Sequence, residues 1–252
     1  MAGKPGLLTV IIPNYNYATY IAETIASVYR QDYKDIELIL VDDGSTDASL
    51  QVIEESLKSA PPHVVSTEVI RQTSNKGKLA GINLALEKST GEYCIILDAD
   101  DLLTDNYATR CINKLNEVRK QNPDIGFVYT DCYLIDEGGT QMDRGRSTAF
   151  DRRKLLTMSF IPEPAVTITA LLKEAGPYDE EIRRGTKHHK WLRIVENGWI
   201  GYHLAEPLFS YRMHGENLSG IGKRVSTELE SGKRGERILS GYWPVQQKLE
   251  DY

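Results

Sequence analysis

The chain has 252 residues, enough for one large domain or two small ones, and a chain of this size folds without a disulfide or metal staple. Hydrophobic residues make up 40% and charged residues 26%, the balance of a soluble globular protein. Acidic side chains (36) outnumber basic ones (30), and the resulting net charge of −6 disfavours a bulk electrostatic grip on nucleic acid.

No apolar stretch approaches the roughly 20 residues of a membrane span, and the first residues lack the pattern of a secretory signal. Cys94, Cys111 and Cys132 fit neither a zinc spacing nor a disulfide framework. The expectation is a cytoplasmic protein with reduced, mostly buried thiols.

In chain order, residues 8–12 are a β-branched apolar run closed by Pro13, which reads as a buried strand. Ile21, Ile25 and Val28 follow at helical spacing. Residues 36–41 are a second strand, ended by Asp42-Asp43-Gly44-Ser45, and Leu50, Ile53 and Leu57 mark a second helix. Residues 64–70 give a third strand, and Leu79, Ile82 and Leu86 a third helix. Residues 93–97 form a fourth strand that runs into Asp98-Ala99-Asp100-Asp101. Tyr107, Cys111, Leu115 and Val118 make a fourth helical stripe, with Thr104 as its candidate N-cap. This alternation predicts an α/β fold, a Rossmann-like, mainly parallel sheet with helices on both faces. Ligands of such sheets bind beyond the carboxyl ends of the strands, where Asn14-Tyr15-Asn16, Asp42-Asp43, Asn75-Lys76-Gly77-Lys78 and Asp98-Ala99-Asp100-Asp101 fall.

The second half is less regular. Residues 125–135 and 165–172 read as strands, 142–150 as a polar loop, 186–197 as a helix with Gly198 at its end, and 201–213 as a strand broken by Pro207. From Lys223 on, 11 of 30 residues are charged and apolar spacing is poor, so 223–252 is read as a charged C-terminal tail, a peripheral helix or partly disordered.

Three clusters carry chemistry. Asp98 and Asp100 stand two apart at a strand end, where side chains point the same way. Convergent carboxylates suit a hard divalent ion, Mg²⁺ or Mn²⁺, and equally suit the start of a helix. Asp42-Asp43 at the end of the second strand would accept hydrogen bonds from a nucleobase or ribose, or else shape a turn with Gly44, Ser45 and Thr46. Tyr15, in Pro13-Asn14-Tyr15-Asn16, would stack on a base or lid a turn. A phospho-acceptor receiver domain also has paired acids after a strand, but the further Asp and Lys it needs are absent.

Together, Val10-Ile11-Ile12-Pro13-Asn14-Tyr15-Asn16, Val41-Asp42-Asp43-Gly44-Ser45-Thr46-Asp47, Asn75-Lys76-Gly77 and Leu97-Asp98-Ala99-Asp100-Asp101, in this order, resemble family 2 glycosyltransferases of the GT-A fold. The resemblance extends over roughly residues 7–215, through Gly176-Pro177-Tyr178-Asp179 and Tyr211-Arg212-Met213-His214-Gly215. It implies an inverting, metal-dependent transfer of a sugar from a nucleotide-diphosphate donor, a UDP-sugar or relative, to an acceptor hydroxyl in polysaccharide or cell-surface glycan synthesis. By the same resemblance, Pro13, Tyr15, Asn16, Asp43, Asn75, Lys78 and Asp98 would bind the donor. Asp98, Asp100 and His214 would hold the Mn²⁺ or Mg²⁺. The acceptor would be a sugar or a lipid-linked sugar, which would place the protein at the inner face of the membrane. The domain would span 1–222, with a nucleotide-binding half (1–121) and an acceptor half (122–222).

Two positions depart from the pattern. Trp191, Leu192 and Arg193 fix a register in which Lys187 stands where the family has its aspartate base, and Ile82 replaces a usual arginine. An ammonium must shed its proton, against a reference pKa near 10.4, before it can act as a base. Three readings follow: His188 or His189 is the base, Lys187 touches the diphosphate or an anionic acceptor, or the protein binds nucleotide sugars with turnover impaired. Arg144, Arg146, Arg152, Arg153, Arg183 and Arg184 are either solubilising charge or contacts for a phosphate-bearing acceptor.

Overall fold

The computed structural model describes residues 3–182, 186–215 and 237–238. Its centre is a parallel array of β1 (Lys4–Asn14), β2 (Ile36–Asp42), β3 (Val64–Arg71) and β4 (Gly91–Ile96), in the order β4-β1-β2-β3. These are linked by α1 (Ile21–Tyr29), α2 (Ser49–Leu57) and α3 (Lys78–Lys88). The inner strands β1, β2 and β4 are largely apolar because both faces are covered, whereas β3, at the sheet edge, is polar and exposed through its middle. Leu8, Val10, Leu38 and Leu40 share one core with Ile21 and Ile25 of α1 and with Cys111 and Leu115 of α4 (Tyr107–Arg119). Ile11, Ile39, Val41 and Cys94 share the other with Leu79 and Ile82 of α3 and with Trp191 and Ile194 of α7 (Thr186–Glu196).

Beyond β4 the sheet turns mixed. β6 (Ile125–Ile135) is antiparallel to β8 (Ala165–Ile168) over Phe127–Tyr129 and to β7 (Gln141–Arg146) over Cys132–Ile135, and parallel to β9 (Ile200–Arg212) along its whole length. The short β5 (Leu102–Leu103) pairs with β9, which ties the chain after β4 to the C-terminal half. Pro207 lies where the β6–β9 register shifts on either side of Asp131. All three cysteines are buried and unbridged.

Three expectations are corrected. Of residues 142–150, read as a polar loop, 142–146 belong to β7, whose side chains are mostly exposed and whose place comes from backbone pairing to β6. The run 165–172 is not one strand: it turns at Thr169 into α6 (Thr169–Glu174). Thr104 does not cap α4. Asn106 holds that position without a side-chain bond, and the Thr104 hydroxyl donates to the Leu208 carbonyl at 2.8 Å. A further short helix, α5 (Arg152–Leu155), is capped by Asp151, whose carboxylate accepts from the Arg153 and Lys154 amides. Within the tail, Arg237–Ile238 form β10 beside β7. The rest of 223–252, with Arg183 and Arg184, lies outside the described residues.

Candidate active site

Register brings the strand ends to one edge: Asn14 pairs with Asp42, the Asp43 amide donates to the Asn14 carbonyl (2.9 Å), and the Leu97 amide to Ile11 (2.9 Å). At this edge Asp98, Asp100 and Asp101 each offer one carboxylate oxygen within 4.8 Å of the others. Asp100 and Asp101 are buried. The loop carrying them is fastened from distant elements. Thr24 of α1 donates to the Ala99 carbonyl (2.8 Å), Arg212 Nε to the Asp100 carbonyl (3.0 Å), and the Arg212 amide to Asp101 (3.0 Å). His214 Nε2 lies 2.8 Å from Asp100 Oδ2, its ring stacked on Tyr20 and meeting Tyr17 edge-on.

Arg212 is 1% exposed and explains why this end of β9 is where it is. Its guanidinium bonds Glu23 Oε2 (2.5 Å) and the Glu137 carbonyl (2.8 Å) and lies over the Tyr20 ring. The Lys78 ammonium contacts Asp98 and lies 3.2 Å from Glu163 Oε2. The charges are unbalanced within the cluster. Burial would raise the Asp98 carboxyl, but the ammonium groups of Lys78 and then Lys187 hold it below the usual carboxylate range. Burial, then the charges of Asp100 and Asp98, push Asp101 well up. Burial would lower Lys78, yet Asp98 and Glu163 raise it. Tyr17 is raised by burial and then by Asp100 and Asp98, which marks it as a wall of the same crevice. Three crowded carboxylates with hard oxygen donors, one of them pushed toward protonation by its neighbours, fit a divalent cation.

The nucleotide-side residues lie alongside, several of them tied into the loops. Asp43 accepts from Gln72 Nε2, the Lys76 amide and the Gly77 amide, all at 2.8 Å, so it pins the start of α3. Asn16, at φ 59°, accepts from the Thr46 amide (2.8 Å) and shapes the loop after β2. Gly44, at φ 70°, lets that loop touch the next: a Cβ there would lie 2.7 Å from the Ser74 carbonyl carbon. Pro13 is buried in β1, Asn75 is exposed, and Tyr15 stands at the rim. Asp98, Asp100, His214 and Lys78 are thus brought together, and Asp43, Asn16 and Gly44 organise the adjoining wall.

His188, expected as a candidate base, lies inside the fold. It is 2% exposed, and neither ring nitrogen has a hydrogen-bond partner. Burial, and secondarily His189, lowers its pKa to about 4. The same helix is likewise buried at Lys190, whose ammonium reaches the Gly176 carbonyl and the Tyr178 ring. Ile82, where the family pattern has arginine, is fully buried, and α3 presents its site cation one turn earlier, at Lys78. Sequence reasoning missed Glu163, Tyr17, Tyr20 and Glu23. The Tyr17-x-x-Tyr20-x-x-Glu23 spacing, running from the turn before α1 into its first turn, was a readable signal, whereas Glu163 carried none.

Residues 9–169 match the family described as Glycosyl transferase family 2. The chain belongs to glycosyl transferase family 2. Among its relatives, the chondroitin synthase of Escherichia coli is 30% identical over 216 residues, 84% of this chain and 30% of that protein. Two solved structures share the fold of this glycosyl transferase family 2 chain. TarS of S. aureus, in complex with UDP-GlcNAc, gives a TM-score of 0.65 at 22% identity over 84% of this chain and 60% of its own. The mannosyltransferase PcManGT of Pyrobaculum calidifontis, in complex with GDP-Man and Mn²⁺, gives 0.64 at 21% identity over 93% and 68%. The chain therefore spans about a third of the synthase and about two thirds of each solved chain. Among the described residues no helix is long and apolar enough to cross a membrane.

Proposed function

We propose that this family 2 chain moves a sugar from a nucleotide-diphosphate donor, a UDP-sugar, to an acceptor hydroxyl in glycan synthesis, inverting the anomeric centre. One observation carries the reading: three carboxylates with an imidazole 2.8 Å from the central one, at the edge where the parallel strands end. The nucleotide-sugar complexes of the two structural neighbours support it. Asp98 and Asp100, with His214, would hold Mn²⁺ or Mg²⁺. Such an ion, when bound, neutralises charge on a departing diphosphate. Tyr15 at the rim would stack on the base, and the loops fixed by Asp43 and Asn16 would shape its pocket. Lys187, whose charge already acts on Asp98 and Asp101, is suited to an anionic phosphate rather than to accepting a proton.

A second reading, nucleotide-sugar binding without turnover, is favoured by Lys187 standing at the base position and by the burial of His188. Thermal melting with UDP, UDP-sugars and GDP-sugars, with and without Mn²⁺, tests the site. UDP with Mn²⁺ raises the melting point beyond either alone, and Asp100→Asn removes that gain, since a ligand at 100 times its Kd adds about 2.7 kcal/mol. Absence of any nucleotide shift refutes both readings. Donor hydrolysis or transfer separates them: the first requires it, the second excludes it.

A further inference from the structure

Lys78 is the first residue of α3, and its backbone has little freedom, because Asp43 holds the two preceding amides at 2.8 Å. Its side chain spans two carboxylates on opposite sides. On one side is Asp98, a member of the three-carboxylate cluster. On the other is Glu163 (Oε2 at 3.2 Å), 6% exposed, on the segment leading to β8. That segment is itself fixed, since the Tyr107 hydroxyl donates to the Pro164 carbonyl at 3.0 Å and Ser147 to the Phe160 carbonyl. The ammonium therefore contacts two acceptors at once, each on a segment held by its own hydrogen bonds. One of them is required for the cation of the proposed function, and the other has no place in that function.

Two positive groups on one carboxylate repel. An ammonium on Asp98 and a divalent ion shared with Asp100 would be in direct competition. We propose that Lys78 is the resident counter-ion of Asp98 and that Glu163 is the residue that receives it when a divalent cation loads. Both are positioning residues that set the affinity of the site for its metal. The inference rests on the metal reading above and goes beyond it. It assigns Glu163 a role as the alternative seat of the Lys78 ammonium, and it explains how three neighbouring carboxylates remain folded before the cation arrives.

The test reads Mn²⁺ binding directly, by the electron paramagnetic resonance signal of free Mn²⁺ during titration, on full-length protein without nucleotide and then with UDP. Lys78→Met removes the competitor and tightens Mn²⁺ binding by about tenfold or more, in the range typical of groups that back metal ligands. Glu163→Gln leaves the ammonium on Asp98 and weakens binding by about as much. The double variant behaves as Lys78→Met, because Glu163 acts only through the ammonium. Lys78→Arg keeps a cation between the two acceptors and stays within a few-fold of the parent protein. Melting curves without metal confirm that each variant is folded. If Lys78→Met binds Mn²⁺ no better than the parent, or if the double variant is as weak as Glu163→Gln alone, the inference is overturned and the metal reading stands. If the parent binds no Mn²⁺ even with UDP, both fall.

Discussion

His188 gives the sharpest test of how this helix is packed. Burial, with a smaller contribution from His189, moves the imidazole from 6.5 to about 4. A folded-state value below the unfolded one means that the stabilisation is present above about pH 6.5 and is lost as pH falls toward 4. At full protonation that gap is worth about 3 kcal/mol, of which about 2 kcal/mol is expressed by pH 5. His188→Leu removes the titration at similar volume. In urea unfolding at pH 7.5 and pH 5.0, the stability difference between the two pH values should shrink by about 2 kcal/mol relative to the parent. At pH 7.5 the variant should be as stable or more so, because it deletes two buried nitrogens that have no partner. Sugar transfer should stay within a few-fold, since a general base at this position would be worth about 10²–10⁴ in rate. An unchanged pH difference, or a loss of two decades in rate with stability intact, would refute the packing argument and restore His188 as a base.

Arg212→Ala should cost about 2–4 kcal/mol in urea, because it strands the carbonyls of Asp100 and Glu137 and empties a buried volume. A loss below 0.5 kcal/mol would show that the loop after β4 stands without it. Gly44→Ala should lower UDP affinity together with stability, by at least about 1 kcal/mol, since it forces φ 70° on alanine and drives a Cβ against Ser74. Calorimetry that finds UDP affinity unchanged would separate this contact from the nucleotide wall.

The first half was legible because the buried strands β1, β2 and β4 carry long apolar runs, and the exposed edge strand β3 still carries β-branched pairs at Val64-Val65 and Val69-Ile70. β7 was not, because Gln-Met-Asp-Arg-Gly-Arg has no apolar face and pairs through its backbone. Residues 165–174 defeated periodicity, since a short buried strand leading into a short buried helix reads as one apolar run. The acidic residues, His214 and Tyr15 were legible as motifs. Asp43 and Asn16 were placed at the right edge, but their loop-fastening bonds depend on how the turns close and could not be read from spacing. Glu163 was illegible because its partner lies 85 residues away. The burial of His188 was illegible because it lies between the charged residues Lys187 and Lys190, whereas α7 packs His188 and Lys190 inward.

The clasp formed by Arg212 has a consequence for how the molecule is assembled. An amino-terminal fragment ending near residue 121 would carry all three aspartates and most of the parallel sheet. It would still lack both the guanidinium and the amide that fasten their loop, as well as the imidazole beside Asp100. The aspartates and this restraint are thus encoded about 110 residues apart and meet only when the last long strand docks. The proposed cation site is in this sense a property of the finished sheet rather than of the motif that names it.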